Sequence, residues 1–239
     1  MKERPIIFNT TMVKAIIEGR KTQTRRLVKP QPKFFKGNAG GHWWRCTHVQ
    51  SMIRVEEELQ NPGEYYEGFI DEVNPFGKKG DRLWVRETFC YGHIDEFDAE
   101  HPDERELFID QDNDLKHLHT PIHKEWCLRE GISIEEVLWK PSIHMPRSAS
   151  RILIEITKIR IEQLNQISSH DAVQEGLLKL PASGRYVINQ GDQYFGAVST
   201  NPTEVFKWMW ESIYGSRAWE LNPWVWVVEF NVIQGGDNE

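Results

Sequence analysis

Two stretches constrain the fold more than anything else in this chain. "SRILIEITKIRIEQL" (150–164) sets Ile152, Leu153, Ile154 and Ile156 among the polar Glu155, Lys158 and Arg160. "WVWVVEFNVI" (224–233) is almost wholly aromatic and β-branched. Both patterns predict long strands, and long strands need partners. "DRLWVRETF" (81–89) alternates Leu83 and Val85 against Trp84 and Arg86, and "TQTRRLV" ahead of Pro30 is β-prone. Between the strands lie helical patterns. "NTTMVKAIIEG" offers Asn9 or Thr10 as N-cap, apolar i,i+4 pairs, and Gly19 as the left-handed stop. "SSHDAVQEGL" carries a Ser168/Asp171 cap, and "NPTEVFKWMWESIYG" opens on Asn201-Pro202 with Phe206, Trp210 and Ile213 on one stripe.

These elements predict an α+β chain, residues 1–239 as one domain, built on a small mixed or antiparallel barrel. Insertions fall at about 31–79, 90–140 and 178–200. Structureless loops of about 50 residues are rare inside compact domains, so the insertions are expected to hold hairpins or short helices.

Hydrophobic residues make up 39% and charged residues 27%, a globular rather than a disordered balance. No apolar run approaches the roughly 18 residues of a membrane helix, and "MKERPIIFNTT" has no signal-peptide core. Three dispersed cysteines, Cys46, Cys90 and Cys127, do not make a disulfide framework. A cytoplasmic location without membrane partners is the expectation. The net charge of −7 conceals a basic start: residues 1–36 hold ten Lys or Arg against Glu3 and Glu18, whereas residues 95–114 hold ten acids against Arg105. A locally positive face can grip a polyanion on an acidic protein, although charge blocks are also ordinary solvated faces.

"GRKTQTRR", "GDRLWVRETF", "HDAVQEGL" and "PWVWVVEF" occur here in an order that resembles the ASCH domain family, whose fold is a PUA-like β-barrel. "PSIHMPRSASRI" further resembles phage- and prophage-associated members, with Lys in "KKGD" where those carry Pro. The similar segments are 5–30, 80–89, 140–177 and 203–233; the insertions have no counterpart in the small members. The resemblance implies association with RNA. It also implies the activity of small bacterial members that remove acetyl from N4-acetylcytidine with a lysine, a threonine and a glutamate. Those roles fall on Lys21, Thr24 and Glu175.

The chemistry is reasonable for these residue types. A threonine hydroxyl needs a base to attack a carbonyl, and a lysine becomes one when burial or nearby cations lower its pKa. Arg20, Arg25 and Arg26 are such cations and stay charged themselves. Thr24 is then the nucleophile, Lys21 the base and Glu175 the proton donor to the leaving amine, with arginines or backbone N–H groups facing the oxyanion. One geometric difficulty stands: on a regular strand Lys21 and Thr24 point to opposite faces. A turn or bulge between Gly19 and Thr22 would remove it.

The other reading is a non-catalytic RNA or nucleic-acid binding module, or a ribonuclease, whose Lys14, Arg25, Arg26, Arg147 and Arg151 line an open stripe. Arg82 and Arg86 share one face of their strand, with Trp84 and Glu87 assigned to the other, and suit either anion recognition or an Arg–Glu pair. Exposed Trp43 or Trp44 would suit base stacking. No metal or other cofactor is expected. His42, Cys46 and His48 cluster, as do His117, His119, His123 and Cys127, but Pro121 breaks the helix that would align the second set. The substrate reading is a modified nucleoside, with RNA as a further partner.

Overall fold

The computed structural model describes all residues except 38–39, 62–67, 96–105, 110–119, 135–136 and 236–239. In chain order the elements are β1 (Glu3–Ile7), α1 (Thr10–Ile17), β2 (Gln23–Leu27), β3 (Lys33–Phe35), β4 (Gly41–Cys46), β5 (Ser51–Arg54), α2 (Phe69–Val73), β6 (Arg82–Arg86) and β7 (Phe89–Asp95). They continue with β8 (Glu106–Ile109), β9 (Thr120–His123), α3 (Lys124–Glu130), β10 (Leu153–Gln163), α4 (Ser169–Gln174), β11 (Leu178–Lys179), β12 (Tyr186–Val187), α5 (Pro202–Tyr214) and β13 (Trp224–Gln234).

The two long strands are central. β10 pairs with β13 antiparallel along its length, and a five-stranded mixed sheet runs in the order β1-β6-β10-β13-β2. Only β1 and β6 are parallel. The fold is therefore α+β. The sheet is open: no ladder joins edge strand β2 back to edge strand β1 among the described residues. Instead the Arg26 guanidinium donates to the Ile7 carbonyl, bringing the two edges together through a side chain.

β13 is buried from Trp224 to Val228 because both of its faces are covered. Val228 and Phe230 join Phe8, Val13, Ile16, Leu83 and Val85 beneath α1. Val225 and Val227 meet Val205, Phe206 and Trp210 of α5, with Ala172 of α4. Trp224 and Trp226 pack with Trp44, Ile53 and Leu59 of the first insertion. Trp44, Trp210, Trp224 and Trp226 thus fill core, where aromatic surface contributes most. Trp44 is among them, so it does not offer a face to a base.

The insertions carry the expected small elements. Residues 31–79 hold the sheet β3-β4-β5 and α2, residues 90–140 the sheet β8-β7-β9 and α3, and residues 178–200 the pair β11-β12. The caps fall as the sequence implied. Asn9 accepts from Met12 N, Ser168 from Asp171 N and Asn201 from Thr203 N. On β6 the assignment of Trp84 to the face opposite the arginines is corrected. Arg82, Trp84 and Arg86 alternate together against buried Leu83 and Val85, as a period of two requires, and Arg86 lies 5.3 Å over the Trp84 ring.

Candidate active site

The turn between α1 and β2 settles the Lys21–Thr24 geometry. Gly19 takes φ +71°, and the N–H groups of Arg20 and Lys21 both bond to the Ala15 carbonyl at 2.9 Å. The strand begins only at Gln23, so Lys21 lies outside its alternation. Lys21 instead forms a β-bridge with Glu175, the C-cap of α4, while Thr22 N bonds to the Gln174 carbonyl. Gly176 makes this approach possible. At φ +107° it is in the left-handed region, and a Cβ there would stand 2.8 Å from the Ala15 Cβ and 3.1 Å from the Lys21 Cβ. Arg20 donates to the Gly176 carbonyl and to Glu18 at 2.7 Å, which pins the same junction from outside.

The three residues of the proposed set are all buried, with relative exposures of 0% for Lys21, 1% for Thr24 and 3% for Glu175. Lys21 Nζ donates to the Glu175 Oε2 at 2.7 Å and to its backbone carbonyl at 2.9 Å. Arg25 Nη1 donates to the other carboxylate oxygen at 3.0 Å. Burial pushes the Lys21 pKa below its ordinary 10.5; the Glu175 charge and hydrogen bond oppose that, while Arg26 and Arg25 assist it. The Thr24 hydroxyl makes no hydrogen bond among the described residues and faces a cavity of about 180 Å³. Arg25, Arg26 and Glu175 form the polar side of that cavity; Phe206, Met209, Trp210 and Tyr214 of α5 form the apolar side.

Arg25 is the hub of a wider network. It reaches Glu162 at 2.7 Å and Asp171 at 3.3 Å as well as Glu175, and Arg160 shares Glu162 and Asp171 from the other side. Burial alone would lower the Arg25 pKa, but Glu175 and Glu162 outweigh it and raise it. Gln23 closes the network on Asp171 and Gln174. In the sequence Asp171 read only as part of a helix cap, Arg160 only as a polar strand position, and Glu162 was unmarked; their register on β10 and α4, facing β2 across β13, is a product of the tertiary fold.

Arg26 differs from Arg25. It lies 5.0 Å over the Phe8 ring, burial lowers its pKa, and Tyr214 and Glu175 oppose the shift. No carboxylate stands within ion-pair distance of it among the described residues, and its buried Nε has no hydrogen-bond partner. Tyr214, which the sequence did not mark, has its phenol pKa raised by burial, with Arg26 opposing.

The remaining arginines do not line this cavity. Arg151 is buried between Glu87, at 3.0 Å, and Glu125, at 2.8 Å. Arg147 is exposed and pairs with Glu3 at 2.9 Å. Arg86 Nε donates to the Met145 carbonyl at 3.0 Å, and Arg82 is partly buried with its Nε unpartnered. The open stripe anticipated for a polyanion is therefore not formed: Arg25 and Arg151 are interior, and each is committed to carboxylates. Of the metal candidates, His42 pairs with Glu56 and His48 with Glu72, while Cys46 and Cys127 are buried in apolar clusters. His117 and His119 lie outside the described residues. β9 gives way to α3 at Lys124, so His123 precedes the helix that carries Cys127. No group of three metal-ligating side chains occurs among the described residues. Burial pushes the thiols of Cys90 and Cys127 up to about 12 and about 11, which leaves them poor nucleophiles. No helix among the described residues is long and apolar enough to cross a membrane.

Comparison with family models, with curated proteins and with solved structures finds no match to this chain.

Proposed function

We propose that this chain is an amidohydrolase that removes the acyl group from N4-acetylcytidine or a related N4-acylated cytosine nucleoside, on a PUA-like (ASCH) fold. The observation that carries the reading is that Lys21 is ion-paired to Glu175, 154 residues away, and that Glu175 and Thr24 line the same cavity, all three being buried. Buried charges are costly and rarely assembled without a use for them. The four ordered motifs of the sequence supply the substrate class.

The reaction follows from the pair. Lys21 and Glu175 rest as an ion pair; passing one proton between them gives a neutral amine and a neutral acid. In that form Lys21 takes the Thr24 hydroxyl proton as Oγ1 attacks the acyl carbonyl carbon. The C–N bond then breaks, and the Glu175 acid protonates the departing amine of cytidine. This restores the ion pair and leaves an acyl ester on Thr24. The pair then passes its proton to Glu175 once more; the neutral lysine deprotonates a water that attacks the ester carbonyl, the Glu175 acid protonates the departing Thr24 Oγ1, and the released acid ionises to a carboxylate in solution. During both steps the negative oxygen on the acyl carbon is stabilised by the fixed cation Arg26.

The test is hydrolysis of N4-acetylcytidine and of longer N4-acyl cytidines by the purified protein, alongside Thr24→Ala, Lys21→Met and Glu175→Gln. Turnover that each substitution abolishes in a folded protein supports the reading. A wild-type protein that hydrolyses none of these amides removes it. Arg25 and Arg151, both locked to carboxylates, leave the RNA-binding alternative without its stripe of free cations.

A further inference from the structure

Arg26 is the one cation at the cavity that no carboxylate answers. Lys21 and Arg25 share Glu175, and Arg25 is further held by Glu162 and Asp171. Among the described residues Glu175 is the only acidic side chain lining the cavity, and both of its carboxylate oxygens are already bonded, Oε2 to Lys21 and Oε1 to Arg25. Arg26 has instead the Ile7 carbonyl, the Phe8 ring, the Tyr214 hydroxyl and an Nε with no partner. A half-buried guanidinium that lines a cavity and is neutralised by no carboxylate can take an anion there. Phosphate is poorly matched. The adjacent walls are Phe206, Met209, Trp210 and Tyr214, and the volume of about 180 Å³ is close to the ~150 Å³ of an apolar cavity that takes up one benzene ring. A planar apolar body ending in a carboxylate matches both halves.

We infer that the cavity beside Thr24 is a carboxylate subsite in which Arg26 binds the charged group and the apolar face of α5 holds the body of the acid. On the amidohydrolase reading, on which this identification of the occupant rests, the acid is the acyl half of the substrate after release. The site then favours acyl groups larger and flatter than acetyl, and the released acid competes with substrate. Tyr214, beside the guanidinium, positions it and does not itself bear charge.

Isothermal titration of the full chain with benzoate, and with benzamide as its neutral isostere, tests the subsite. Benzoate is expected to bind about tenfold or more tightly than benzamide, the scale of one charge-assisted hydrogen bond. Arg26→Met should erase that preference while leaving benzamide binding in place; Tyr214→Phe should narrow it. Equal affinity for the two probes, no binding of either, or a preference that survives Arg26→Met overturns the inference. Should Arg26→Met fail to fold, the wild-type ratio and Tyr214→Phe decide the matter. The two readings fail separately. A benzoate preference without amide hydrolysis keeps the subsite and removes the reaction. Hydrolysis by a protein that does not distinguish benzoate from benzamide removes the subsite alone.

Discussion

Arg25 and Arg151 are both interior guanidiniums held by carboxylates brought from distant parts of the chain, yet their surroundings differ. Arg151 joins Glu87, which follows β6, to Glu125 in α3, and so ties the second insertion to the main sheet. Behind this clamp His123 Nε2 donates to the Ala149 carbonyl at 2.9 Å, and burial lowers its pKa despite the nearby Glu87. The described cavities do not include any of these residues. Around Arg25 the charges are as deeply buried, but the network also contains a lysine of lowered pKa and borders on an unbonded hydroxyl and an open cavity. Buried charge by itself therefore marks a fastening; buried charge with a free hydroxyl and room for a ligand marks chemistry.

The widest separation between the two regions is expected in catalysis. Thr24→Ala should lower kcat/KM for an N4-acyl cytidine by about 10⁴-fold or more with the melting temperature little changed, whereas Arg151→Met should reduce activity only as far as it unfolds the protein. Steady-state kinetics beside thermal melts read both. In stability the order reverses. Arg151→Met leaves Glu87 and Glu125 buried without another cation among the described residues, a loss of about 3–5 kcal/mol. Arg25→Met leaves Glu175 with Lys21, and Glu162 and Asp171 with Arg160, so denaturant unfolding should show a smaller loss of about 1–3 kcal/mol. Equal losses would mean the two networks are energetically alike and would break the comparison.

Gly176→Ala sharpens it from the side of the backbone. The Cβ would strain a left-handed position and press on Lys21, so about 1–3 kcal/mol of stability should go, with activity falling further than the unfolded fraction accounts for. The smallest expected effect is in pH. Activity requires the one proton that Lys21 and Glu175 share, so kcat/KM should fall as pH rises through an inflection below 10.5, where the pair loses it. Arg26 holds that pKa down, and taking its charge away makes the protonated lysine easier to keep; Arg26→Met should therefore move the inflection upward. The same lowered pKa means that the folded state resists protonation of Lys21. Its contribution to stability is present above 10.5 and is lost as pH falls toward the folded pKa.

Much of this arrangement was legible in the sequence, and the limits have physical causes. Period-two runs at 150–164 and 224–233 gave the two central strands, and Asn9, Ser168 and Asn201 gave three helix starts, because these signals are local. Lys21, Thr24 and Glu175 were nameable only from the motifs, since sequence spacing says nothing of contacts 154 residues apart. Arg25 and Arg151 read as surface cations because composition does not show which carboxylates will be folded against them. Arg26 and Arg25 are neighbours with identical side chains; strand alternation alone decides that one meets Glu162 and the other Phe8. The closure of a barrel likewise depends on whether edges β1 and β2 meet by backbone, which periodicity does not encode.

The pairing of β2 with β13 joins residues near 25 to residues near 226, and Glu175 arrives from α4 between them. During synthesis, Lys21 and Arg25 therefore emerge long before any of their partners exist. The segment that bears the proposed reactive groups cannot complete its pairing until β13, the last strand of the sheet in chain order, is available. Contacts of such separation form late and slowly. Maturation of activity should accordingly track completion of the sheet rather than proceed by stages, so a nascent or clipped chain lacking β13 would be inert toward amides, however much of its N-terminal half had already folded.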